Sequence, residues 1–355
     1  MEKSSSALRR AAIRLLCVCN LSIFVSVVIS VAAQNSARAA EIELKLATVA
    51  PDNTPWSELL KRFKSAVETK SNGRIKVKVF LGGTLGDENE SVIKCKRGQI
   101  QAVGASTGAI ASQVPEVNVV ELPYLFHSFE EADYIVDNVL TAPLEGVFRR
   151  YGLVLGFWTE NGFRQFGSKG NAIRKPGDLK GKKMRSQEST LHLDMWRAFG
   201  ASPVPIPTTE VLTALETGTV DGFDQATLFA IAASWHKTIK SFTISNHIYQ
   251  PAIITYNKEW FEALPQDLQT LLITEGRALQ VKGRKAVRKI LPDLVDILKG
   301  ENIQVVELSA AEKQPFEEAA LPVRQAFRNT QGKDAVLLLD AVEKALTAFR
   351  AGKVK

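Results

Sequence analysis

The segment DLKGKKMRSQES, Asp178 to Ser189, gathers four cations, Lys180, Lys182, Lys183 and Arg185, around two glycine-led turns. Charge at this density usually marks a solvated loop. A guanidinium nevertheless differs from the ammonium groups beside it, because its planar fork offers parallel N–H donors that match a carboxylate. The residues alone leave open whether Arg185 faces water or an anion that the protein holds.

Other chemistries find little support. The four histidines, His127, His192, His236 and His247, form no HExxH or other metal-ligand spacing, and no CxxC is present. They read as satisfied core groups. There is no G-x-S-x-G elbow. GDLKGKK is not a phosphate loop, since Gly177 and Gly181 stand one residue too close and Lys182 is followed by Lys183. GGTLGD (82–87) is not a dinucleotide fingerprint. The acid pairs Asp87/Glu88 and Asp221/Asp224 have the type for acid–base work, but without a partner they read as caps and turns.

The elements that must position Arg185 are of α/β type. Ile42, Leu44 and Leu46 alternate with charged neighbours as a strand, and Trp56, Leu59, Leu60, Phe63 and Val67 follow at helical spacing. RIKVKVF alternates again, a helix is predicted over 87–98, and IQAVGAST is a short strand. This order predicts an α/β lobe with a largely parallel sheet. A second set follows: LVLGFWT, FRQFGS and KKMRS as strands, helices near 190–199 and 209–217, and AIITYN as another strand. The chain reads as helical from Pro265 to about Gly300 with a break at Pro292, and again after NIQVVELS. Ser128/Glu131 and Ser309/Glu312 have capping-box spacing. No repeat or long linker appears, so the chain is expected to cross between two lobes more than once.

The first residues belong to a different problem. A basic start (Lys3, Arg9, Arg10, Arg14), an apolar run from Leu15 to Ala33 and the Ala37-Arg38-Ala39 site predict a secretory signal cleaved after Ala39, although the run is also long enough for a retained anchor. Cys17 and Cys19 fall inside it. Cys95 alone remains, as a semi-buried helix residue with no internal disulfide partner. The signal carries +4 of the chain's +7, and the remaining +3 is too small to argue for nucleic acid or a membrane surface.

Ordered motifs then narrow the reading. DLKGKKMRSQESTLHLDMWRAFGASPVPIPTTEVLTALETGTVDGFDQ, SNHIYQPAIITYNKEWFEALP and the upstream GGTLGDENE, VELPYLF and FRQFGS resemble the substrate-binding proteins of tripartite ATP-independent periplasmic (TRAP) transporters, of the DctP type, over about 41–345. The resemblance implies a two-lobed periplasmic binding protein with a hinge cleft: residues 40–162 plus about 251–290 as lobe I, 163–250 plus about 291–355 as lobe II. It implies a small organic acid as ligand, a C4-dicarboxylate or another carboxylate, with no reaction and no cofactor. Arg185 matches the arginine of the family's D-L-K-G-x-K-x-R segment and is expected on the ligand carboxylate.

Arg164 matches a second arginine, whose other reading is a surface salt bridge. Asp87 matches an acid near the cleft, as ligand contact or helix cap. Gln225 stands where many members have asparagine, and Thr208 and Leu212 replace a frequent aromatic pair, which opens that wall. Ser106 falls where sialic-acid-binding members carry glutamate, which argues against sialic acid. Trp158, Phe223, Phe157 and Phe163 are aromatic candidates for the pocket wall, with core packing as the alternative. The implied partners are the small and large integral permease subunits. A receptor that reports to a membrane sensor kinase, a periplasmic enzyme acting on an acid, and the receptor of an ATP-driven importer are the competing readings.

Overall fold

The alternation that begins at Ile42 does form the first strand. In this computed structural model, which describes residues 42–353, the strands are β1 (Ile42–Thr48), β2 (Ile75–Phe80), β3 (Ala102–Ser106), β4 (Leu153–Ser168), β5 (Lys183–Ser186), β6 (Ser202–Pro205), β7 (Gly222–Ala226), β8 (Ser241–Asn257) and β9 (Gln304–Glu307). They make one mixed sheet in the order β2-β1-β3-β8-β4-β7-β5-β6, with β9 on β8. The expected signal segment lies outside the described residues.

Two strands depart from the expected short segments and from a largely parallel sheet. LVLGFWT and FRQFGS are one strand, β4, of 16 residues, and AIITYN is the end of β8, of 17. They pair antiparallel along nearly their whole length, with register shifts at Leu155/Phe157, Glu160/Gly162 and Arg164/Phe166. One end of the pair carries β3 and through it β1 and β2; the other carries β7, β5 and β6. At about 3.3 Å per residue, 16 residues reach about 50 Å, enough to run through both halves of the molecule. The pairs β1/β2, β1/β3, β5/β6, β5/β7 and β8/β9 are parallel, as crossover helices require.

The helix Pro55–Lys70 begins at a Thr54/Ser57 capping box with Pro55 in its first turn, and buries Trp56, Leu60, Phe63 and Val67. The run after Pro265 is the helix Gln266–Lys289, followed by Leu291–Gly300 with the break at Ile290. Gly276 and Gly283 let the longer helix lie close to its neighbours: a Cβ at Gly276 would meet Phe157 Cδ1 at 2.1 Å, and one at Gly283 would meet Leu59 Cδ1 at 2.3 Å. Arg284 and Arg288 then reach across, Arg284 to Asp137 and Arg288 to Asp133 and Glu160. The Ser309/Glu312 capping box is formed. At Ser128 half of one forms, since Glu131 accepts instead from His127 N.

The core is divided among three clusters. One lies around Leu44, Leu60, Phe63 and Ile254, one around Phe223, Trp235 and Leu298, and a larger one runs from Val119 and Val136 to Trp196 and Phe316. Among the described residues no helix is long and apolar enough to cross a membrane.

Candidate functional site

Where the ends of β3, β5 and β7 meet the middle of the long strands β4 and β8, the chain leaves a cleft holding about 600 Å³ of empty space, its open mouth included. Of the residues expected there, Arg185, Arg164, Gln225, Thr208 and Ser106 line it.

Arg185 stands on β5, one residue before its end, and is 1% exposed. Its Nε and Nη2 donate to the Ile206 carbonyl at 3.0 and 2.8 Å, and Nη2 also to Thr208 Oγ1 at 3.3 Å. The guanidinium carbon lies 5.3 Å from the centroid of Trp235, a cation–π contact. Among the described residues Nη1 donates to no protein group and no carboxylate pairs with this cation. Burial, with Arg164 nearby, lowers its pKa to about 10, so it stays charged at neutral pH.

Arg164, on β4, is equally buried but differently served. It is not a surface ion pair. Nε bonds Asp224 Oδ2 at 2.5 Å, Nη2 the Asp224 carbonyl at 2.5 Å, and Nη1 the side-chain oxygens of Gln225 at 3.2 Å and Gln250 at 2.7 Å. Burial alone would raise the Asp224 carboxyl; Arg164 and the bond from His247 overcome this and hold it well below the usual carboxylate range.

Amides join these two arginines to the rest of the wall. Gln225 Oε1 accepts from Ala226 N and from Arg164, while its NH₂ has no protein acceptor. Gln250 donates to Glu121 and Gln187, both at 2.9 Å, and Gln187 donates to Ser106 Oγ at 2.6 Å. Behind them His192 meets Glu121 at 2.5 Å, so this histidine is a bonded core group, as is His247 with Ser245 and Asp224.

Ser106 itself points to an acid that in the sequence, within the pair Asp87/Glu88, reads as a cap or turn. Its N–H and Oγ donate to the two oxygens of Glu88, at 2.8 and 3.0 Å. Burial, then Asp87, push the Glu88 carboxyl up to about 7, against the pull of Ser106 and Arg185. Asp87, the expected acid, starts the same helix without making a side-chain cap bond and accepts from Thr209 N at 3.3 Å instead. It joins the loop before that helix to the Thr208–Thr209 turn and lies outside the cleft wall.

The expected aromatics also lie behind the wall. Trp158 donates to Thr141 Oγ1 at 2.9 Å, and Phe157 packs on Phe63. Phe163 packs on Phe129 and Tyr249. Phe223 packs edge-on against Trp235, 5.2 Å between centroids, and so props the ring under Arg185. The rings that do line the cleft are Trp56 and Phe229. Trp56 is fixed by its Nε1 bond to the Glu160 carbonyl, and Glu160 is neutralised by Arg288. Among the described residues no cluster of three His, Cys, Asp or Glu side chains is arranged to hold a metal ion.

A buried cation lining a cleft, beside a second arginine already paired, is the equipment of an anion receptor, and known proteins agree. Residues 46–331 match the model of the bacterial extracellular solute-binding protein family 7, DctP. The chain belongs to that family. A solute-binding protein of Verminephrobacter eiseniae is 31% identical over 298 residues, which cover 84% of this chain and 88% of that one. The sugar acid binding protein DctPAm of Advenella mimigardefordensis, solved with galactonate, is 31% identical with a TM-score of 0.81, covering 85% and 98% of the two chains. A TRAP periplasmic solute binding protein of Citrobacter koseri, solved with D-glucuronate, is 27% identical with a TM-score of 0.79, covering 85% and 98%. This chain is thus a TRAP-type solute receptor of two-lobed α/β fold, from a family of extracellular and periplasmic transport proteins rather than enzymes.

Proposed function

We propose that this receptor carries a small organic acid whose carboxylate rests on Arg185, and delivers it to the small and large integral subunits of a TRAP-type permease. One observation carries the reading: Arg185 is a buried cation, lining a cavity, with an unused Nη1 and no acid of its own. A buried charge left without a partner is costly, and a ligand carboxylate supplies the partner. Because Ile206 takes the Nε/Nη2 edge, the ligand meets the Nη1 end of the fork. Thr208, bonded to Nη2, and Gln225 line the same cleft. Arg164, already neutralised by Asp224, positions Gln225 and Gln250.

Binding draws on both ends of the cleft, so a ligand favours the closed arrangement by its differential affinity for it. The lobe boundaries expected from the sequence belong to this reading. One change is made: the final helix Lys333–Arg350 goes with lobe I, because Arg350 bonds Glu131 and Arg150 reaches Asp334. Residues 1–39 act as the export signal that brings the chain to the periplasm. Thermal melting against mono-, di-, keto- and aromatic acids tests the proposal. A true ligand at about 100 times its dissociation constant adds about 2.7 kcal/mol of stability, and an absence of any shift across such acids defeats it.

A further inference from the structure

The charges around the cleft narrow the class of acid, and this step rests on the receptor reading above. Four charged side chains line the cavity: Arg164, Arg185, Glu88 and Glu160. Two are already answered from behind the wall, Arg164 by Asp224 and Glu160 by Arg288. Arg185 and Glu88 remain. No salt bridge within 4.0 Å joins them to each other, and they line the cavity from different elements, Arg185 from β5 and Glu88 from the first turn of the helix Glu88–Lys96.

A single ligand carboxylate on Arg185 answers the one cation that the wall leaves without an acid in contact. A second carboxylate has no cation left among the described lining residues, and Glu88, ionised above about pH 7, confronts it with like charge. The other polar groups of the wall are mixed in sense. Gln225 keeps two free N–H donors, Thr208 has a hydroxyl hydrogen to give, and Glu88 spends one lone pair of each oxygen on Ser106 and keeps the others. Groups that both donate and accept suit such a wall, and hydroxyls do both. Plain methylene groups would leave these buried donors and acceptors unpaired. Val49, Ala50, Leu228 and the rings of Trp56 and Phe229 supply apolar faces for the carbon chain between them.

We propose that the cleft selects a polyhydroxylated monocarboxylate over the matching dicarboxylate, with Glu88 as the residue that accepts the ligand's hydroxyls and excludes a second carboxylate.

Matched acids test this in calorimetric titration at about pH 8, where Glu88 is ionised: galactonate against galactarate, and erythronate against meso-tartrate, each pair differing in a terminal hydroxymethyl or carboxylate. The wild-type protein should favour the monocarboxylate of the better-fitting length by about tenfold or more, as one uncompensated like-charge contact implies. In Glu88→Gln the ratio should shrink towards unity, because the amide offers an N–H to the second carboxylate and no longer repels it. Arg185→Ala should lose both members of the pair. Equal or tighter binding of the dicarboxylate by the wild-type protein overturns the selection while leaving the receptor reading intact. A ratio unchanged by Glu88→Gln removes Glu88 from the account. Failure of every acid of both pairs to bind, with no thermal shift by any other organic acid, overturns the receptor reading itself.

Discussion

Arg164 and Arg185 are both 1% exposed, line the same cleft and lie near enough for each to feel the other's charge. They differ in what the protein gives them. Arg164 has a carboxylate, a carbonyl and two amide oxygens. Arg185 has one carbonyl, one hydroxyl and the face of an indole. A cation with its own acid is part of the architecture; in the proposed function, the cation denied one takes the acid of the ligand. Burial alone therefore does not distinguish a structural arginine from a ligand-binding one. The remaining donor count does.

Removing each arginine in the ligand-free protein should separate the two most sharply. Arg164→Ala strands Asp224 in the core and should cost about 3–5 kcal/mol of stability, the usual penalty for breaking a buried pair. Arg185→Ala strands no acid, and its melting temperature should equal or exceed the wild-type value. Equal destabilisation by both substitutions would break the contrast.

The acids beside the two arginines should differ in the same sense. Glu88 is raised from 4.5 to about 7, so the folded protein binds the extra proton. Stability then falls as pH rises from about 4.5 to about 7, by about 3 kcal/mol from this group. Asp224 is lowered, so its contribution is present above the unfolded carboxyl pKa and fades only as pH falls below it. Urea unfolding of Glu88→Gln against wild type at pH 5 and pH 7.5 checks the first: the variant should lose the pH-linked decline, and an identical decline would contradict it.

Two smaller effects sharpen the picture around Arg185. Trp235→Leu removes the indole beneath the guanidinium and should weaken ligand binding by about 1 kcal/mol, within the range of a buried cation–π contact. Gln225→Asn shortens the amide that carries free donors into the cleft. It should reorder preference among acids of different length more than it lowers the best affinity, and an unchanged rank order would place Gln225 away from the ligand.

Much of this was legible in the chain and some was not. The D-L-K-G-x-K-x-R segment leads directly to Arg185, and the helix patterns up to Gly300 agree with the structure because their apolar faces are regular. The length of β4 and β8 was hidden. Asn161 and Gly162 (φ +105°) and Asn246 (φ +50°) look like turn residues, yet here they are accommodated within long strands, each at a register shift. Strands buried on both faces give no alternation to show which side fronts the cleft, and Trp158 and Phe223 were candidates for the wall for that reason. Glu88 reads with Asp87 as a cap or turn, since adjacent acids at a helix start differ only in the direction they take from the backbone. Gln187 and Gln250 carry no local signal at all: their partners lie 63 to 129 residues away along the chain.

Calorimetric titration of Arg185→Ala with an acid that the wild-type protein binds is the most direct test of the central claim. The account predicts an affinity lower by about 3–5 kcal/mol, from a protein that still melts at the wild-type temperature or above. Near-wild-type affinity in that variant would contradict it.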